Sequence, residues 1–224
     1  MAIDVETKDC TALDDLELEE MGNICADGPA QYDIGLLSKQ REEWVLITQA
    51  RSNGVLQGFS FCTLERIGGT PSVLIGLASV KRTAKRQEAL KAMMGDQLRR
   101  AVLAFPDEDV LIGTRFVDAS GFDAFGSFMK LNDVVPRPDH KPSGEDRAWG
   151  RRLAKRFSVD AEYDERSFIA KGDGNPPCVL DHESAKPEKI SAEVRALFDD
   201  VDAGKGDSLI AFAWAMAEDL APLA

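Results

Sequence analysis

The chain of 224 residues holds only two tyrosines and two histidines, namely Tyr32, Tyr163, His140 and His182. Few side chains are therefore ready to move protons near neutral pH, where histidine alone has its ordinary pKa. The four cysteines, Cys10, Cys25, Cys62 and Cys178, show no close pairing. That spacing fits a reducing compartment and argues against a disulfide framework. Long apolar runs are missing too. Leu209 to Met216 is the longest candidate, far short of the ~20 residues of a membrane span. The first residues lack the basic and apolar regions of a secretory signal, so a cytoplasmic location is expected. There is no P-loop, nucleophile elbow or dinucleotide fingerprint, and no internal repeat or low-complexity tract.

What is present is an ordinary globular composition, 44 % hydrophobic and 29 % charged, with enough apolar material for a full core. The net charge is −12, which disfavours binding to a phosphate backbone. The acidity is uneven. Residues 1–20 carry eight acids and one base, whereas residues 81–100 carry seven bases and two acids. The basic island contains no aromatic residue, so base stacking is not signalled.

Periodicity and breakers predict the elements in order. Helices are expected over 12–25, capped by Thr11, and over 31–40. Strands follow at 44–49 and 55–67, joined across Ser52-Asn53-Gly54, and a third strand at 72–80 follows Gly68-Gly69-Thr70-Pro71. A helix spans 86–104, with Leu90, Met93, Met94, Leu98 and Ala101 on one face. Next come a strand at 110–117, a short helix at 120–130 and a brief strand at 134–135. A helix over 144–157, a strand at 167–171 and a loop over 172–189 then lead to a helix running from the Ser191 cap to Val201. Residues 208–215 are read as a strand.

The most informative chemistry sits where the 86–104 helix begins. A helix start offers unpaired N–H groups and a positive dipole end, so it binds anions. Cations there cost roughly 0.3–1 kcal/mol each unless an anion is present. Arg82, Lys85 and Arg86 stand at this start, whereas Arg99 and Arg100 suit the opposite end. The three misplaced cations predict an anionic ligand.

This order of elements resembles the GNAT superfamily of acyl-CoA-dependent N-acyltransferases, over roughly residues 10–136. The segment GLASVKRTAKRQEALKAMM resembles its fourth strand, pyrophosphate loop and following helix, and VLIGTRFVDASGFDAF its fifth strand and next helix. The resemblance implies an α/β fold with a mixed, mostly antiparallel central sheet and flanking helices. Residues 1–136 would form this core, and residues 137–224 a C-terminal α+β extension packing on or completing it. It implies acetyl-CoA or another acyl-CoA as substrate, lying between the strands at 72–80 and 110–117. Backbone groups at Ala78 and Val80 would meet its pantetheine. Arg82 with Ala84, Lys85, Arg86 and Gln87 would hold the pyrophosphate, with Asp118 and Ser120 alongside. An amine would attack the thioester carbonyl directly, with no metal.

The sequence departs from the family pattern. Both glycines of the loop are missing from Arg82-Thr83-Ala84-Lys85-Arg86-Gln87, and glycine is what lets a backbone approach a pyrophosphate closely. Asp118 stands where the family often has Asn, and Phe122 and Phe125 lie where its general-acid Tyr is common. For a base to deprotonate an amine, Glu65 on the preceding strand is the nearest acid in sequence, set against the plainer reading of a solvent-facing glutamate. Ser79 is a candidate for orienting substrate, set against a strand serine satisfied by backbone. Cys178 and His182 are four apart, but a structural zinc normally needs four ligands, and no third member orients them as a nucleophilic pair. Two functions are thus expected: an N-acyltransferase, or a chain that keeps the fold without catalysis and serves as a ligand-sensing or protein-interaction module. For the C-terminal third, a homodimer contact, a substrate lid and a block over the cofactor groove are all open.

Overall fold

A computed structural model describes residues 3–28, 32–129 and 133–220. Gln31 and Lys130, expected as outer ends of two helices, lie outside the described residues.

The first element was not anticipated. Asp4–Asp9 forms strand β1, antiparallel to the next strand. Only Thr7 of its side chains is buried, so the segment carries no alternating apolar signal. A single 3₁₀ turn, Cys10–Ala12, then leads into α1 (Asp15–Ala26). Its cap is Asp14 rather than Thr11: the Asp14 carboxylate accepts from Glu17 N, and the Glu17 carboxylate accepts from Asp14 N. This reciprocal box satisfies two orphan donors at once, while Thr11 bonds back to Asp9. Helix α2 (Ile34–Glu43) is capped by Asp33.

Three antiparallel strands follow: β2 (Leu46–Ser52), β3 (Val55–Ile67) and β4 (Thr70–Val80). Asn53-Gly54 and Gly68-Gly69 turn the chain between them with positive φ at every position, the geometry that favours tight hairpins. Helix α3 (Arg86–Ala104), β5 (Val110–Phe116), α4 (Ala119–Met129) and β6 (Val134–Val135) come next. The last third holds α5 (Gly144–Arg156), β7 (Tyr163–Asp164), β8 (Ile169–Ala170), β9 (Leu180–Asp181), α6 (Ala192–Ala196), β10 (Ser208–Ala215) and α7 (Ala217–Leu220). Helix α6 stops well before Val201, and the expected strand at 167–171 narrows to two residues.

The strand order is β1-β2-β3-β4-β5-β10-β8-β7, with β6 on β10 and β9 on β4. Pairing is antiparallel throughout except β4 with β5 and β4 with β9. The fold is therefore a mixed, mostly antiparallel sheet with flanking helices. The C-terminal third is woven into it, since β10 runs antiparallel to β5 over residues 209–215. Helix α5 covers β10, with Trp149 edge-on to Trp214 at 5.6 Å.

Two cores lie on opposite faces of the sheet. Phe59 and Phe61 of β3 point to the face under α1 and α2, with Leu18, Met21 and Leu37. The alternate residues of β3 face α3, where the Gln97 amide donates to the Ser60 and Thr48 hydroxyls. Period-two alternation divides the strand between the two layers.

One irregularity positions the site. Along β3 and β4 the pairing passes from Ser60↔Ala78 to Cys62↔Ile75, so Gly76 and Leu77 together oppose Phe61. This is a β-bulge, which bends its strand and ends regular pairing. It falls just beyond Leu74, the last β4 residue paired with β5. Gly76 suits the bend, because a Cβ there would collide with the Trp44 ring. Past the bulge, β4 and β5 part and leave a wedge.

Candidate functional site

The wedge is the slot expected to take a ligand, and the chain itself fills it. Strand β9 lies alongside β4 in parallel, pairing Ala78 with Leu180 and Ser79 with Asp181. Ala78 N, one of the groups expected to meet pantetheine, donates to Val179 O at 3.1 Å. Val179, Leu180, Asp181 and His182 are all at most 4 % exposed. Burying a side chain such as Leu180 contributes roughly 1.5–3 kcal/mol. The start of α4 closes over the strand: a Cβ on Gly121 would come within 2.7 Å of Leu180 O, so glycine is required for this approach. Upstream, the Tyr32 hydroxyl donates to Pro177 O. Burial pushes the Tyr32 phenol well above its ordinary pKa, which keeps it a neutral donor.

The cations at the start of α3 are met by the same segment. Arg82 donates from Nη2 to the Asp181 carboxylate at 2.7 Å and from Nη1 to the Ser79 hydroxyl at 3.1 Å and to Val80 O at 3.0 Å. The Ser79 hydroxyl donates to Asp181 at 3.0 Å, so this serine is satisfied by side chains rather than by backbone. The Arg82–Asp181 pair is deeply placed, with side-chain exposures of 11 % and 3 %. Gly28 backs it closely, since a Cβ there would stand 2.6 Å from Arg82 Nη2. Arg86 donates to Glu183 O at 3.1 Å and to Thr83 O at 2.8 Å. Lys85 Nζ reaches the Ser52 hydroxyl at 3.4 Å. For Arg82 the expected anion is a carboxylate of this chain, while Arg86 donates to neutral backbone oxygens.

His182 enters the same enclosure. Both of its ring nitrogens are buried, with no hydrogen-bond partner among the described residues. Burial, aided by the nearby Arg86 and Arg82 charges, pulls its pKa down to about 4. Asp118 caps α4, accepting from Ser120 N at 2.7 Å and Gly121 N at 3.1 Å. Burial raises its pKa above the ordinary carboxylate value.

The other expected site residues divide. Ala78, Val80, Arg82, Arg86, Asp118 and Ser120 lie around the wedge; Ala84 is exposed in the turn before α3, and Gln87 is half-buried in the first turn of α3. Glu65 does not gather there. It pairs with Ser72 at the start of β4, seven residues from Ser79, or about 23 Å along a strand. Its carboxylate binds Arg156 Nε at 2.7 Å. Phe122 and Phe125 are core residues packed on Phe116. Among the described residues no group of three or more His, Cys, Asp and Glu side chains could hold a metal, and no helix is long and apolar enough to cross a membrane.

Two residues that now matter carried weak signals. Asp181 follows a two-residue apolar run, Val179-Leu180, too short to read as a strand. Arg115 is a lone cation inside the apolar strand VLIGTRFV, a departure that could have singled it out.

The mixed, mostly antiparallel sheet with flanking helices gives this chain the fold that the resemblance to the GNAT superfamily implies. Among solved structures it is similar to the ribosomal-protein-S18-alanine N-acetyltransferase of Escherichia coli, with 14 % identity over 63 % of this chain and 86 % of that one, at a TM-score of 0.42. It is also similar to an IAA acetyltransferase of Bacillus cereus, with 9 % identity over 96 % and 100 % of the two chains, at a TM-score of 0.46. An acyl-CoA N-acyltransferase of Pseudomonas aeruginosa shares 18 % identity over 50 % and 79 %, at 0.38. No family model matches the sequence, and no curated protein matches it.

Proposed function

We propose that this chain is a GNAT-fold binding module rather than a working acyltransferase in the conformation described. The observation that carries the reading is the bond from Ala78 N to Val179 O. The strand edge that would receive acyl-CoA is already paired, and Asp181 answers the guanidinium that would hold its pyrophosphate. The residues around the wedge do not fit acyl-CoA while β9 is in place. The missing loop glycines and the phenylalanines at the position of the general-acid tyrosine support the same conclusion.

A second reading has its own observation. His182 is buried with neither ring nitrogen satisfied, and each unmet polar group costs about 1–3 kcal/mol. Only two residues of the segment are strand, and Gly172, Gly174, Pro176, Pro177 and Pro187 flank them. A plug so held can be displaced, and the chain would then be an acyl-CoA N-acyltransferase closed by its own tail.

Thermal melting with acetyl-CoA tests both. A ligand at 100 times its Kd stabilises by ~2.7 kcal/mol. The module reading expects no rise in Tm at millimolar acetyl-CoA. A rise in the intact chain, with thiol release on adding amines, would overturn it. A rise seen only when Asp181→Ala loosens the plug selects the second reading.

A further inference from the structure

A second deep cation, Arg115, has no counter-ion among the described residues. Arg115 stands on β5, opposite Ile210 of β10, and is 8 % exposed. Its Nε and Nη2 both donate to the Ser208 hydroxyl, at 3.0 and 2.8 Å. Among the described residues no carboxylate pairs with it. Asp207, next in sequence to Ser208, is itself engaged, holding Lys171 Nζ at 2.8 Å and Gly172 N at 2.9 Å. The neighbours that act on the guanidinium are a thiol and a phenol, Cys178 and Tyr32, and both are neutral at pH 7. A buried cation left without a partner is costly, and buried charges are ordinarily paired.

The guanidinium forms part of the lining of a cavity of about 370 Å³, together with Cys178, Asn175, Pro177, Glu162 and Asp173. Ser208 takes up the Nε side of the guanidinium. The Nη1 hydrogens and one on Nη2 are left for a guest, which is an end-on fork matched to two oxygens. Glu162, Asp173 and Lys171 also line the cavity and are exposed, so the rim sets two acids against one lysine, a balance that suits a guest of low negative charge.

We propose that this cavity is a binding site for the carboxylate of a small molecule, with Arg115 as its anchor. The site adjoins the wedge, since Arg115 lies on β5 past its last pair with β4 and Pro177 and Cys178 lead into β9, and it is formed with β9 in place. It gives the chain a ligand class that the closed wedge does not.

Sodium acetate and inorganic phosphate serve as probes, with sodium chloride at equal ionic strength as reference. Acetate should raise the Tm of the full chain by several degrees more than chloride or phosphate does, and Arg115→Met should abolish the excess. Equal shifts in acetate and chloride, or an excess that survives in Arg115→Met, would overturn the site. A larger shift with phosphate would overturn the assignment to carboxylates.

A measurement on the unaltered chain covers the case in which that variant fails to fold. Cys178 lines the cavity, so its alkylation by iodoacetate and by iodoacetamide can be followed by peptide mapping. In a protein of net charge −12 an ordinary thiol reacts more slowly with the anionic reagent. A carboxylate anchor reverses this. The iodoacetate-to-iodoacetamide rate ratio at Cys178 should exceed that of the unfolded chain by about tenfold, the value of one charge-assisted hydrogen bond. A ratio at or below the unfolded value would sink the proposal.

Discussion

Arg82 and Arg115 lie at the ends of neighbouring strands that part from each other, and both are largely withdrawn from water. Arg82 meets a carboxylate, two further acceptors and the close backing of Gly28. Arg115 meets one hydroxyl. The sequence draws attention to the first, because it belongs to a basic cluster at a helix start. The structure draws attention to the second. The charge of Arg82 is answered from its own chain, with only its buried Nε lacking a hydrogen-bond partner among the described residues, whereas Arg115 meets a neutral serine beside a cavity.

The sharpest way to break this contrast is to remove the anion that answers Arg82. Asp181→Ala leaves the Arg82 guanidinium only the exposed Glu183 carboxylate, 3.9 Å from Nε, and losing the buried partner costs up to about 3–5 kcal/mol. The plug opening would relieve the cost by letting water reach Arg82. The expected result is a lowered denaturation midpoint together with loss of hydrogen-exchange protection at Ala78 N. A variant as stable and as protected as the parent would mean that Asp181 does not hold the wedge shut.

Acid attacks the same enclosure through His182. Its folded pKa of about 4 lies below the ordinary 6.5, so the folded chain binds fewer protons than the unfolded chain between these values. Stability is then complete above pH 6.5 and falls as pH drops towards 4, with a slope of up to ~1.4 kcal/mol per pH unit for one group. His182→Leu removes two unmet polar atoms and the titration with them. Urea midpoints measured between pH 7 and 5 should be flat for this variant and should decline for the parent. Equal declines would place the pH dependence elsewhere.

Much of the fold was legible because its signals are local and repeated. The turns at Asn53-Gly54 and Gly68-Gly69, the α3 stripe of Leu90, Met93, Met94 and Leu98, and the apolar β4 and β10 all appear where periodicity and breakers put them. What stayed hidden depends on distant partners. Strand β1 has one buried side chain, and its pairing with β2 supplies the rest of its definition. Strand β9 is two residues in a loop rich in glycine and proline, and only the gap left by the β4 bulge makes it a strand. Ala78, Arg82 and Arg86 belong to one strand–loop–helix unit that periodicity reads, whereas Asp118, after the next strand, was set beside them only by the family resemblance. That Asp181 would answer Arg82 from 99 residues away has no signature in either segment. Glu65 shows the opposite error: near in sequence to the expected surface, it lies at the far end of the strand, bound to Arg156.

The smallest expected effect is the most discriminating, because it sets the second arginine directly against the first. Arg115→Met keeps similar bulk and removes a buried charge that has no carboxylate partner. A buried charge without a counter-ion carries an uncompensated desolvation cost, so an apolar side chain of similar volume relieves that cost while giving up the two hydrogen bonds to Ser208. In buffer free of carboxylates the denaturation midpoint should shift by less than ~1 kcal/mol, or rise, in contrast to the large loss at Asp181. The Ser208 hydroxyl keeps its backbone position on β10 and loses only the guanidinium donors. If Arg115→Met instead costs as much as Asp181→Ala, then Arg115 is a structural cation with a partner of its own. The contrast between an arginine with a counter-ion and one without would then dissolve.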